Sequence, residues 1–384
     1  MRLFESIKLG KLYSVHNGLS KGRQFFGSGF PFLTFSEVFN NYFLPNELIS
    51  LVQSSEKERI SCSIKRGDVF ITRTSETMNE LGMSSVALKD YPNATYNGFT
   101  KRLRPTTNKV LPEYIGYYLR SPKFRGKFMA FSSMTTRASL ANDDLLNMEI
   151  ELPSLQIQNK IATILSRYDS LIENYQKQIK LLEEAAQRLY KEWFVDIRFP
   201  GYENTPVVDG VPEGWEKKKL GEITLIKTGK RDANFGTTDG IYPFFTCSQE
   251  AIKAPSYSFD TSAVILAGNG DFNVKLYRGK FEAYQRTYVI EANNIDFLFL
   301  AYFCISKNII KLKTGASGST IKFLTKGMIE SLDIWKPSEN IIDLFNKVIE
   351  PMQGQKESLQ SQIRLLTEAR DRLLPKLISG EIEV

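Results

Sequence analysis

The sequence predicts an α+β protein: two mixed α/β domains in tandem pseudo-repeat, separated by two long helices that pair as an antiparallel coiled coil. Three observations carry that expectation. Residues 135–194 match residues 319–378 at a constant offset of 184 with no gap: Leu140 aligns with Leu324, Pro153-Ser154 with Pro337-Ser338, and Gln178-Ile179-Lys180-Leu181-Leu182 with Gln362-Ile363-Arg364-Leu365-Leu366. A weaker match at an offset of 211 joins Phe4-Glu5, Leu9-Gly10 and Gly18 to Trp215-Glu216, Leu220-Gly221 and Gly229. A sustained heptad period closes each repeat, after a stretch of short strand-like runs.

Taken in order, the first domain occupies residues 1–152, with strands at 69–72 and 148–152 and a helix at 113–119. The difference between the two offsets places 27 extra residues inside it. A helix follows over 153–195. Its apolar seam is Ile157, Ile161, Ile164, Tyr168, Leu171, Tyr175, Gln178, Leu182, Ala185 and Leu189, spaced alternately four and three apart. Residues 196–214 are rich in Pro and Gly, show no apolar period and read as a linker. The second domain spans 215–337, with strands at 263–266, 283–290 and 332–335 and a helix at 297–305. The second helix and a tail fill 338–384, with the seam Ile341, Phe345, Val348, Met352, Gln355, Leu359, Gln362, Leu366, Ala369 and Leu373. Four heptads are enough to trust the period. The linker is too short to return along a helix, which favours the antiparallel pair. At seam positions Gln178 and Gln362 would fix register, and Pro351 would kink or break the second helix.

Composition removes several function classes. His16 is the only histidine, which excludes most zinc sites and Ser/Cys–His catalysis. Cys62, Cys247 and Cys304 are odd in number and widely spaced, so they read as free thiols of a reducing cytoplasm. No run approaches the ~20 apolar residues of a membrane span, and the N-terminus carries no leader signature. No phosphate-binding loop, dinucleotide fingerprint or amino-methyltransferase motif is visible, and neither a catalytic residue nor a metal ligand is expected.

The charge is distributed unevenly. Residues 1–152 hold 20 Lys/Arg against 14 Asp/Glu, and 215–337 hold 17 against 12, while the helical and linker segments carry no excess. Two basic globules suggest a polyanionic partner for both. Arg suits guanine, Asn and Gln suit adenine, and small hydroxyl or Gly segments let backbone approach phosphate. On that basis the candidate DNA-binding residues are Lys21, Arg23, Arg73, Thr74, Ser75, Asn97, Lys101, Arg102, Thr136 and Arg137 in the first domain. In the second they are Lys230, Arg231, Asn269, Lys275, Arg286, Thr287, Ser317, Ser319, Thr320 and Lys322.

Several segments together resemble the specificity (S) subunits of type I restriction–modification systems. They are Leu152-Pro153-Ser154-Leu155-Gln156-Ile157-Gln158-Asn159-Lys160-Ile161-Ala162, Ala186-Gln187-Arg188-Leu189-Tyr190-Lys191-Glu192-Trp193-Phe194, Val211-Pro212-Glu213-Gly214-Trp215-Glu216, and Leu373-Leu374-Pro375-Lys376-Leu377-Ile378-Ser379-Gly380-Glu381-Ile382. The resemblance implies two target-recognition domains on conserved spacer helices, binding double-stranded DNA at an asymmetric, gapped site. It also implies two methyltransferase (M) subunits gripping the helices, restriction (R) subunits joining them, and adenine-N6 methylation. S-adenosylmethionine would be held by the M subunits, and no cofactor by this chain. The rival readings are a tandem-domain adaptor for proteins, or the DNA-binding arm of a self-contained modification enzyme.

Overall fold

The structure, a computed structural model, describes residues 4–75, 80–131, 138, 139, 141–316, 318 and 322–384. It divides into two compact units, Met1–Tyr175 with Ser361–Val384, and Gln176–Gln360. Both boundaries fall inside the long helices, so each unit is one globule with half of each helix. Burial explains this grouping. Ile161, Leu165, Leu374, Leu377 and Ile378 join the core of the first globule, whereas Ala186, Tyr190, Trp193, Ile341 and Phe345 join that of the second.

The first unit holds an antiparallel four-stranded sheet in the order Tyr13–Asn17, Thr100–Pro105, Val69–Thr72, Ser84–Val86. The second holds a six-stranded sheet in the order Thr224–Thr228, Thr287–Ala292, Phe259–Ala267, Val274–Ala283, Tyr242–Phe245, Ile252–Ala254. The repeat extends to strand register. Glu5 faces Leu152 as Glu216 faces Lys336. Tyr13 faces Pro105 as Thr224 faces Ala292, and Thr72 faces Thr100 as Ala267 faces Thr287. Much of the first unit's extra length lies between Asn17 and Val69. There two short helices, Phe35–Asn40 and Glu56–Ser61, are added around Phe26–Leu33 and Leu51–Val52, which pair as Tyr242–Phe245 and Ile252–Ala254 do in the second unit. Both helices start on capping boxes, Thr34 with Glu37 and Ser55 with Glu58, which satisfy their first free N–H groups.

One expectation about the second globule needs correction. Residues 283–290 are not one strand: Val274–Ala283 ends, a turn at 284–286 follows, and Thr287–Ala292 begins. The linker is folded. Phe199 is buried with its ring 4.8 Å from that of Trp215, and Val207–Val208 pairs with Val211–Pro212.

The long helices are Leu155–Phe194 and Glu339–Ser379, of 40 and 41 residues, hence about 60 Å each. The second continues through Pro351 and Pro375, so the expected break at Pro351 is absent. Within each unit the paired helix segments run antiparallel. The seam, however, is rotated from the heptad template. Ile161, Tyr168, Tyr175, Leu182 and Leu189 are at least half-buried, as are Phe345, Met352, Leu359, Leu366 and Leu373. At the alternate positions burial moves one residue on, to Leu165, Ile172, Ile179 and Ala186, and to Ile349, Lys356, Ile363 and Arg370. Leu171 and Val348 are 42% and 44% exposed, and Ala185 and Ala369 are exposed too. Gln178 is half-buried and Gln362 is exposed. An α-helix turns every 3.6 residues, and these helices also face a globule, so the buried stripe widens beyond a 3.5-residue seam.

Candidate nucleic-acid interface

In the first unit three segments meet at one end of the sheet. Arg73, just past Val69–Thr72, donates its N–H to the Phe99 carbonyl at 3.0 Å. Leu19 donates to the Tyr96 carbonyl at 2.8 Å and accepts from Gly98 N–H at 2.9 Å. Asn97 builds the turn, its Oδ1 accepting the Phe99 N–H at 2.6 Å. Gly18 is required beside it, since a Cβ there would meet the Asn97 carbonyl oxygen at 2.1 Å. This end presents the half-buried Arg73 and Phe99, which is 57% exposed, while Arg23 is exposed in the short helix Arg23–Phe25. Arg73 Nε is buried and has no partner among the described residues.

Other candidates serve the fold. Lys21 is paired with Glu58 at 2.9 Å and lies 5.0 Å over the Phe25 ring. Lys101 is 4% exposed and donates to Asn142 Oδ1; burial, with the Arg73 charge, pushes its pKa down. Arg102 is a correction. Strand alternation turns it away from Lys101; it is 7% exposed and donates to the carbonyls of Ser61 and Ser63 at 3.2 and 2.6 Å. It closes the C-terminal end of Glu56–Ser61 and is not offered to a ligand. Thr74–Ser75 pairs with Ala138–Ser139. Thr136, Arg137, Ser317, Ser319 and Thr320 lie outside the described residues.

The corresponding end of the second unit gathers five segments. Gly268 donates its N–H to the Arg286 carbonyl at 2.8 Å, and Leu324 donates to the Gly268 carbonyl at 2.8 Å. Asn269 bridges Phe323, and Gln285 N–H donates to the Arg231 carbonyl at 2.9 Å. Asn273 Nδ2 holds the Cys247 carbonyl at 3.0 Å. Arg286, Gln285, Lys230, Lys322 and Lys326 are exposed here, as is Phe323 at 38%. Lys275 is bound to the Ser248 carbonyl at 2.9 Å and to Asn273 Oδ1, and burial lowers its pKa; it braces the loop. Thr287 is fully buried with Oγ1 unpartnered, so it too is removed from the interface. Sequence reasoning does not single out Phe323 and Lys326, although it names their neighbour Lys322.

Comparing the two ends shows a substitution of roles. The bond Arg73 N–H to Phe99 carbonyl corresponds to Gly268 N–H to Arg286 carbonyl. The first unit therefore presents arginine from the loop leaving one strand, the second from the turn entering its neighbour. Both ends offer guanidinium groups, amides and exposed aromatic rings, a donor set suited to base edges and phosphate. Among the described residues no group of His, Cys, Asp or Glu is arranged to hold a metal ion, and no helix is long and apolar enough to cross a membrane.

Comparison with known proteins agrees with this arrangement. The family model "Type I restriction modification DNA specificity domain" matches residues 1–184 and 212–359. The specificity subunit of the EcoDI type I restriction enzyme of Escherichia coli is 40% identical over 176 residues, which covers 45% of this chain and 39% of that protein. The MjaIX specificity subunit of Methanocaldococcus jannaschii is 27% identical over 98% of this chain and 92% of its own length. The crystal structure of the type I restriction-modification S subunit from M. genitalium superposes with a TM-score of 0.59 at 15% identity, covering 97% of this chain and 96% of that one, which is a likeness of fold. With both halves of its repeat matched, the chain belongs to the type I restriction modification DNA specificity domain family.

Proposed function

We propose that this chain is the non-catalytic, DNA-reading subunit of a type I restriction–modification complex, each unit reading one half of an asymmetric, gapped, two-part site. The observation that carries this is the duplicated sheet with matching register but different residues at the homologous loop ends. A shared scaffold with unlike reading ends suits a site whose halves differ. In this reading two methyltransferase subunits dock on the long helices, restriction subunits join them, and double-stranded DNA is bound in the cytoplasm. S-adenosylmethionine, held by the methyltransferase subunits, supplies the methyl group for adenine N6. This chain contributes position and sequence choice; phosphate contacts supply much of the affinity.

The test is a map of N6-methyladenine in the source genome with and without the gene for this chain. Loss of one gapped, two-part motif is the expected result. An unchanged map, with an active methyltransferase shown to be present, overturns the proposal in favour of an adaptor for proteins.

A further inference from the structure

We propose that Arg231 and Glu282 form a preoriented base-reading pair in the second unit, with Glu282 as a positioning residue that aims the Arg231 guanidinium at a guanine. The proposal rests on the DNA-reading function above. The Glu282 side chain is 0% exposed and that of Arg231 is 43% exposed. Glu282 Oε2 accepts from Arg231 Nε at 3.4 Å and from Ser258 Oγ at 2.7 Å, while Oε1 accepts the Ala283 N–H at 2.9 Å. The guanidinium lies 4.3 Å over the Phe235 ring. Its two terminal nitrogens have no protein partner among the described residues. Through its carbonyl, Arg231 is fastened to Gln285, in the same turn as Arg286.

The first unit shows that the fold does not need this pair. Leu19 takes the place of Arg231: its carbonyl accepts from Gly98 as that of Arg231 accepts from Gln285, and it bridges Asn97 as Arg231 bridges Tyr284. Thr95 takes the place of Glu282, pairing in parallel with Phe32 as Glu282 does with Phe244. The same ladder thus closes with a leucine and a threonine. A buried carboxylate costs desolvation that a neutral pair avoids, so strand pairing alone does not account for it. It does account for a guanidinium fixed from below and stacked from the side, with its outer N–H groups free. Two such parallel donors match guanine O6 and N7, and a side chain already fixed loses less entropy on binding.

The test replaces the pair by the first unit's own residues, Arg231→Leu with Glu282→Thr, in the full chain in its native host, and maps N6-methyladenine. The variant is expected to accumulate and melt like the parent. One base position in one half of the motif should relax, with discrimination there falling roughly 10-fold or more, while the other half stays intact. Glu282→Gln alone, which keeps an acceptor for Ala283 and Ser258, should weaken discrimination at that same position. It settles the matter should the double variant fail to accumulate. An unchanged motif in a folded variant overturns the pair as a reader. So does uniformly weaker methylation with an unchanged motif, which is the mark of a phosphate contact. If the parent itself directs no two-part motif, the DNA-reading proposal fails and not this pairing alone.

Discussion

Arg370 donates from Nη1 to Asp169 Oδ1 at 2.5 Å, while the Tyr117 hydroxyl donates to the other carboxylate oxygen at 2.5 Å. One side chain thereby ties both helix segments of the first unit to its globule. In the second unit Lys356 pairs with Glu183 at 2.7 Å. Trp193 packs on Phe345 in the same unit, so from 183–356 to 193–345 the first helix advances 10 residues and the second retreats 11, the mark of an antiparallel register.

Asp169→Ala should be strongly destabilising. It leaves a guanidinium only 13% exposed with Asp371 as its one remaining carboxylate among the described residues, and removes the acceptor of a tyrosine whose pKa is raised by burial first and by Asp169 second. Breaking a buried pair costs about 3–5 kcal/mol, and the partial exposure of Asp169 brings the expectation to about 2–3 kcal/mol in urea unfolding. Asp169→Leu with Arg370→Leu should recover most of that loss; no recovery would mean that the hydrogen bonds, and not the uncompensated charge, carry the stability.

The rotated seam separates neighbours. Leu171→Lys should change stability by no more than ~0.5 kcal/mol, whereas Ile172→Lys should cost about 2 kcal/mol, read by thermal unfolding. Leu182→Lys should further abolish co-purification of a methyltransferase. Its retention would argue against docking on the helices.

Arg102 and Arg286 should part company in the same assay. Arg102→Ala strands the Ser61 and Ser63 carbonyls and should lower stability by about 1.5–3 kcal/mol with the methylated motif unchanged. Arg286→Ala should leave the melting temperature alone and alter one half of the motif. Equal weakening of both halves would sink the two-headed reading.

Exposed cations should act through phosphate. Lys230→Ala with Lys322→Ala should reduce the slope of log affinity against log salt by roughly 1 per lysine removed, the motif staying the same, in DNA binding by the purified complex. A changed motif would place these lysines on bases.

The Lys21–Glu58 pair sets an acid limit on the first unit. Its hydrogen bond from Lys21, with that from the Ser55 N–H, holds the Glu58 carboxyl down to about 2 from its ordinary 4.5. A depressed acid stabilises the fold above its unfolded pKa and loses that contribution as pH falls through the folded one. Glu58→Gln should therefore melt below the parent at pH 7, and the gap should close between pH 4.5 and about 2. A gap independent of pH would assign the loss to the helix cap instead.

Much of the architecture was legible because it is periodic. The offset of 184 residues and the heptad spacing follow from one-dimensional repetition, and the strand registers Glu5–Leu152 and Glu216–Lys336 keep the two offsets. The charge excess of the two globules was likewise visible as a count. Which face of a helix is buried was not: Ile172 and Arg370, rather than Leu171 and Ala369, line the seam because the helices pack on globules as well as on each other. Nor could the sequence separate Lys101 from Arg102, since adjacent residues in a strand point oppositely, or show that Arg286 lies exposed in a turn while Thr287 is buried at the start of the strand that follows. The pairing of Arg231 with Glu282 lies further from the chain's own order, 51 residues apart. Sequence determined that there are two basic, duplicated heads on a helical pair. Tertiary packing decided which cations each head presents, because only burial distinguishes a guanidinium that closes a helix from one left facing solvent.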